Sequence, residues 1–83
     1  MAETTGLVQR LTVFSSTLTC VWIGPTPNNN ELLSVSNDSS AADTAFAANL
    51  IQTLAAAATN YRAVAAIHGD SDAKIISVRV DPV

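Results

Sequence analysis

Only a few side chains in this 83-residue chain are of types that could do chemistry. Cys20, the single cysteine, sits between Thr19 and Val21 in an apolar run, with Trp22 beyond. A reactive thiolate needs a nearby base or cation to lower its pKa, and no histidine is close in sequence. The surroundings point instead to an inert thiol buried in the core. His68, the single histidine, forms an H-x-D-x-D cluster with Asp70 and Asp72. A metal bound there would need a further partner and converging geometry, which neighbouring turn residues rarely supply. Turn chemistry accounts for Gly69, Asp70, Ser71 and Asp72 more simply: glycine permits positive φ, and aspartate bonds its own backbone.

The third place is Trp22 with the segment that follows it, GPTPNNN over residues 24–30. Indole rings stack on sugar and base faces, and asparagine offers a donor and an acceptor to hydroxyls. Trp22, Asn28, Asn29 and Asn30 are therefore the ligand-binding candidates. No phosphate-cradling glycine loop, paired catalytic carboxylates or Ser/His/Asp set can be assembled. The expectation is a protein with no metal, no cofactor and no catalytic residues. The alternative is a small enzyme whose site forms between subunits from His68, Asp70, Arg62 or Arg79.

The elements that would position these residues are short. Residues 7–14, LVQRLTVF, read as a strand with Leu7, Leu11 and Val13 on one parity and Val8 and Phe14 on the other. After a turn at 15–17, residues 18–23, LTCVWI, form the partner strand of a hairpin. Leu18, Cys20 and Trp22 share one face and Thr19, Val21 and Ile23 the other, a pattern that suits a strand covered on both sides. Two prolines and three asparagines make residues 24–30 a loop. Residues 31–36 give a third strand, and 37–40 supply a helix cap in which Ser40 and Asp43 form a capping box. Residues 63–68 and 74–80 are the last two strands, with Ile76, Val78 and Val80 pointing one way and Ile75, Ser77 and Arg79 the other.

Between the halves lies the longest periodic stretch, residues 40–61, SAADTAFAANLIQTLAAAATNY. Alanine gives it high helix propensity. Phe46, Leu50, Leu54 and Tyr61 form its core stripe, flanked by Ala47 and Ile51. Its other side carries Ala45, Ala48, Asn49, Gln52, Ala55 and Ala56, and Asp43 in the first turn is its only charge.

Composition bears on that uncharged side. Charged residues make up 13% of the chain and hydrophobic ones 48%, about half the usual charged fraction of roughly 25%. One domain of this length has a small core, and with one cysteine and one histidine neither a disulfide nor a zinc site can reinforce it. Association of subunits is the remaining common remedy. Small uncharged side chains let two helices approach without desolvating an ion, so Ala45, Ala48, Asn49, Gln52, Ala55 and Ala56 are expected at a homo-oligomer interface. The net charge is −3 with four scattered basic residues, which argues against nucleic acid. No apolar run spans a bilayer and no secretory signal is visible, so a cytoplasmic location without membrane insertion is expected.

The order strand, strand, strand, long helix, strand, strand describes a single α+β, mainly β domain: a small, partly open five-stranded antiparallel OB-like barrel, or an α+β sandwich. From residue 18 to residue 80, and most of all from Ser40 through the hairpin at 69–72, this layout resembles the B-subunits of AB5 bacterial enterotoxins. The resemblance lies in element order and carries no signature motif. It implies an OB-like fold and a homopentameric ring with the long helices around a central pore. Under that reading the protein's partners are its own copies and, as ligand, a carbohydrate or another protein.

Overall fold

The computed structural model describes residues 2–80. Five strands make one sheet: β1 (Ala2–Ser15), β2 (Leu18–Thr26), β3 (Asn29–Ser36), β4 (Ala63–His68) and β5 (Ile75–Val80). A single helix, α1 (Ala41–Thr59), connects β3 to β4. The strand order is β3-β2-β1-β4-β5, and all neighbours are antiparallel. The protein is thus α+β with the element order expected. The sheet does not close on itself. Its two edge strands come together at a parallel bridge between Ser34 and Lys74, where the Ser34 N–H donates to the Ala73 carbonyl at 2.8 Å.

β1 occupies the centre because it is long enough to serve two neighbours. Its first half pairs with β4 and its second with β2, and Leu7 has partners in both, Ala63 and Gly24. The strand begins at Ala2, five residues before the apolar alternation starts, so no hydrophobic period marks that part. Glu3, Thr4 and Thr5 are held by register with Ile67, Ala66 and Ala65.

Bulges decide which side chains reach the core. In β1 the register passes from Val8–Ile23 to Arg10–Trp22, leaving Gln9 as the extra residue. Val8 and Leu11 consequently both pack on the core, although strict alternation places them on opposite faces. β5 behaves likewise. Ile67 pairs with Ser77 and His68 with Ile75, so Ile76 is skipped. Ile75 is buried and Val78 packs beside it, while Ile76 is exposed, which corrects the simple alternation read from residues 74–80.

Residues 24–30 are not a loop. β2 continues through Gly24, Pro25 and Thr26, and β3 starts at Asn29, leaving Pro27 and Asn28 between them. Pro25 is tolerated because the β2–β3 register skips between Ile23 and Thr26, so no ladder bond is asked of its missing N–H.

The helix starts where Ser40 caps it, its Oγ accepting from the Asp43 N–H at 3.2 Å. The expected capping box is only half formed. The Asp43 carboxylate takes the Asp38 N–H (2.8 Å), and the Ser40 N–H goes to Asp38 Oδ1 (2.9 Å). Hydrogen bonds from the Ser40 side chain and then its backbone hold the Asp38 carboxyl below the usual carboxylate range. The buried stripe is Ala47, Leu50, Leu54 and Ala57, at spacings of three and four residues. Leu50 and Leu54 join Val21, Ile23, Leu33 and Val35 in one core cluster. Phe46 and Tyr61 do not belong to it: they are 48% and 82% exposed. Two alanines bring the helix close to the sheet where larger residues would hold it away. Tyr61 lies past the Asn60 cap, and its φ of 54° turns the chain out of the helical period.

Two outcomes are expected from this packing. A Cβ on Gly24 would press against the Asn29 carbonyl oxygen, and one on Gly6 would lie 2.7 Å from the Gly24 carbonyl carbon. Since backbone atoms cannot give way as a side chain can, Gly24→Ala should cost about 3 kcal/mol in urea unfolding, as much as Leu54→Ala. Asp38 titrates below its unfolded value, so its contribution is present above the ordinary carboxylate range and is lost as pH falls through the depressed folded value. Thermal melts of Asp38→Ala against the wild type should converge at the acid end.

Candidate functional site

The outer surface of the β1–β2–β3 half carries a hollow of about 220 Å³ lined by Gln9, Arg10, Trp22, Pro27 and Asn30. Register builds it. Arg10 pairs directly across from Trp22, which pairs across from Leu32, so these three stand in one row on one face. The Arg10 guanidinium carbon lies 5.6 Å from the indole centroid, a cation–π contact. Gln9 enters through its bulge, and its Nε2 donates to the Gly24 carbonyl at 2.8 Å. Asn30 Nδ2 donates to the carbonyls of Pro27 (2.8 Å) and Thr26 (3.3 Å).

Those bonds determine what the hollow can offer. Both amide hydrogens of Asn30 are engaged in holding the turn, so Oδ1 remains for a ligand. Gln9 retains Oε1 and one N–H. Arg10 brings the only charge among the lining residues, and no carboxylate lines the hollow. Cation, acceptors and aromatic surface thus stand together on paired strands next to the β2–β3 turn.

Of the residues expected to bind a ligand, Trp22 and Asn30 are brought together here. Asn28 and Asn29 are exposed at the turn and do not line the hollow. Gln9 and Arg10 were not apparent as site residues from sequence. Arg10 becomes readable once the hairpin register sets it opposite Trp22, whereas the bulge at Gln9 leaves no pattern in the sequence.

The same face corrects two expectations. Thr19, Val21 and Ile23 are buried, but Leu18 is exposed and Cys20 and Trp22 are half-buried, so β2 is covered on one side only. Cys20 is therefore not a core thiol. It lies between its cross-strand partners Thr12 and Ser34 on the outer surface.

His68 is withdrawn from the surface, at 6% exposure. Its Nδ1 lies 2.9 Å from the Gly69 carbonyl and 3.0 Å from that of Asp72, and carbonyls only accept, so Nδ1 carries a hydrogen. Nε2 is 2.9 Å from Thr4 Oγ1, which in turn donates to Glu31 Oε2 at 2.7 Å. The chain Glu31–Thr4–His68 ties β3, β1 and β4 together. Both ring nitrogens are occupied, and the Asp72 carboxylate accepts the Lys74 N–H at 2.9 Å. The H-x-D-x-D cluster is a folded turn, and among the described residues no group of three His, Cys, Asp or Glu could hold a metal. Arg62 is half-buried, whereas Arg79 and Asp70 are exposed.

On α1, Ala45, Ala48, Asn49, Gln52, Ala55 and Ala56 are all exposed. A second hollow of about 240 Å³ lies beside this helix, where Phe46, Leu50, Ile75 and Ile76 meet between Asp43 and Lys74. Among the described residues no helix is long and apolar enough to cross a membrane. Comparison with protein-family models, curated proteins and solved structures gave no match.

Thr4 is the one atom bridge between His68 and Glu31. Thr4→Val keeps its shape and removes both side-chain bonds, leaving a buried ring nitrogen without its partner. It should lower stability by about 1–3 kcal/mol in chemical denaturation, with Thr5→Val, on the exposed side of the strand, nearly neutral.

Proposed function

We propose that the chain is a non-enzymatic, homo-oligomeric binding or scaffold module built on an OB-type barrel. The observation that carries the reading is the solvent face of α1. Past Asp43 it has no charged residue to the helix end, and Ala48, Gln52, Ala55 and Ala56 stand exposed along it. A surface helix that stays in water ordinarily carries Lys and Glu on that side. A helix meeting its own copies does better with small uncharged side chains.

Other features support association. Val13, Phe14, Leu32, Phe46, Tyr61 and Ile76 are large apolar residues left exposed by one chain. The OB assignment is supported by the long central strand shared between β2 and β4, the helix between β3 and β4, and the parallel approach of β3 to β5 at Ser34 and Lys74. A pentameric ring with the helices at its centre is the assembly that the resemblance of the element order to AB5 B-subunits implies. The ligand of the module, a carbohydrate or another protein, would sit at the Trp22 hollow.

A carboxylate at Ala55 would have to be buried in such an interface, at a cost of several kcal/mol. Ala55→Glu should therefore yield a folded monomer by size-exclusion chromatography with light scattering at about 10 μM, roughly a hundredfold or more below the concentration then needed to assemble. If wild type and variant elute with the same mass, the helix face is not an interface.

A further inference from the structure

The hollow at Trp22 is selective in what it can satisfy. Arg10 stacks on the indole, and among the described residues it has no ion-pair partner. Its guanidinium presents a planar fork of N–H donors that matches a carboxylate. Stacking holds the fork in place before a ligand arrives, which reduces the ordering that binding must impose. Asn30 can act there only as an acceptor, since the Thr26 and Pro27 carbonyls use both of its amide hydrogens. Pro27 and the half-buried indole supply apolar walls.

We propose that this hollow takes the C-terminal carboxylate end of a peptide. Three features of such an end find three complements. The terminal carboxylate pairs with the Arg10 fork. The last peptide N–H donates to Asn30 Oδ1. The last side chain, apolar and of about leucine size, lies on Trp22 and Pro27. A neutral sugar meets the hollow less well, because it leaves the Arg10 charge unmatched, and apart from Arg10 the side-chain donors that line the hollow are one amide N–H of Gln9 and the indole N–H of Trp22. A cationic ligand meets the like charge of Arg10 with no carboxylate to offset it. The inference rests on the reading of the protein as a binding module whose site is this hollow, and it names the ligand class for that site. It does not depend on the oligomeric state.

Trp22 is the only tryptophan, so its indole N–H reports on the site without ambiguity. The test titrates the 83-residue protein with N-acetyl-Gly-Leu bearing a free carboxylate, with the same dipeptide as its C-terminal amide, and with a neutral methyl pyranoside. The indole resonance is followed by NMR up to about 20 mM, since a fragment this small binds in the millimolar range. The free acid should shift the resonance saturably, and the amide should bind about tenfold or more weakly. Arg10→Gln should weaken the acid by a similar factor. Arg10→Lys, which keeps the charge and loses the fork, should fall between, and unchanged spectra elsewhere would show that both variants fold. Equal binding of acid and amide, or no effect of Arg10→Gln, would overturn the ligand class. A response to the pyranoside that ignores Arg10 would overturn it too, while leaving the binding module standing. If none of the three probes moves the indole resonance, the ligand class and the hollow as a binding site both fall.

Discussion

The structure depends on one strand serving two partners. β1 pairs with β4 along its first half and with β2 along its second, and between them it must bend. Two features allow this. Gly6, at a φ of 141°, and Gly24 approach backbone to backbone with no room for a Cβ. The bulge at Gln9 then rotates the strand so that Val8 and Leu11 both remain over the core. The bend curls the five strands far enough for β3 and β5 to touch at Ser34, and α1 covers the concave side with Leu50 and Leu54. The same bulge delivers Gln9 to the hollow beside Trp22. The device that shapes the sheet also builds the candidate site.

Much of this order was legible in the chain, and the reasons for the rest are specific. β4 was readable to the residue, and α1 nearly so, because a serine cap and an uninterrupted alanine-rich period mark it. The burial pattern was harder. Period-two reasoning fails at a bulge, and β1 and β5 each have one in the middle of their apolar run. Side-chain size misled on the helix: Phe46 and Tyr61 look like core residues, but Ala47 and Ala57 are buried because the helix sits close to the sheet. Proline and asparagine gave residues 24–30 the look of a loop, when a register skip let Pro25 lie in a strand. At the site, Trp22 and Asn30 were visible by type. Arg10 and Gln9 depended on register, which one sequence does not disclose.

A small core and an incompletely covered surface go together here. The buried cluster is made of aliphatic residues and alanine and holds no aromatic side chain, since Phe14, Phe46 and Tyr61 are exposed and Trp22 is half-buried. Aromatic residues provide much of the burial energy of a small domain. Leaving them outside is costly for a lone chain and useful for a surface that meets others. Under the association proposed for the uncharged side of α1, packing against further copies would both cover these residues and present several Trp22 hollows at once. Repeated weak sites on one particle bind far more tightly than any one alone.

We propose that the chain completes itself by association through α1. Native mass spectrometry of the wild-type protein from a few micromolar solution tests it most directly. One dominant closed oligomer is expected, at an integer multiple of the 8.6 kDa chain mass. A spectrum containing only the 8.6 kDa species, with cooperative unfolding of that monomer, would contradict it.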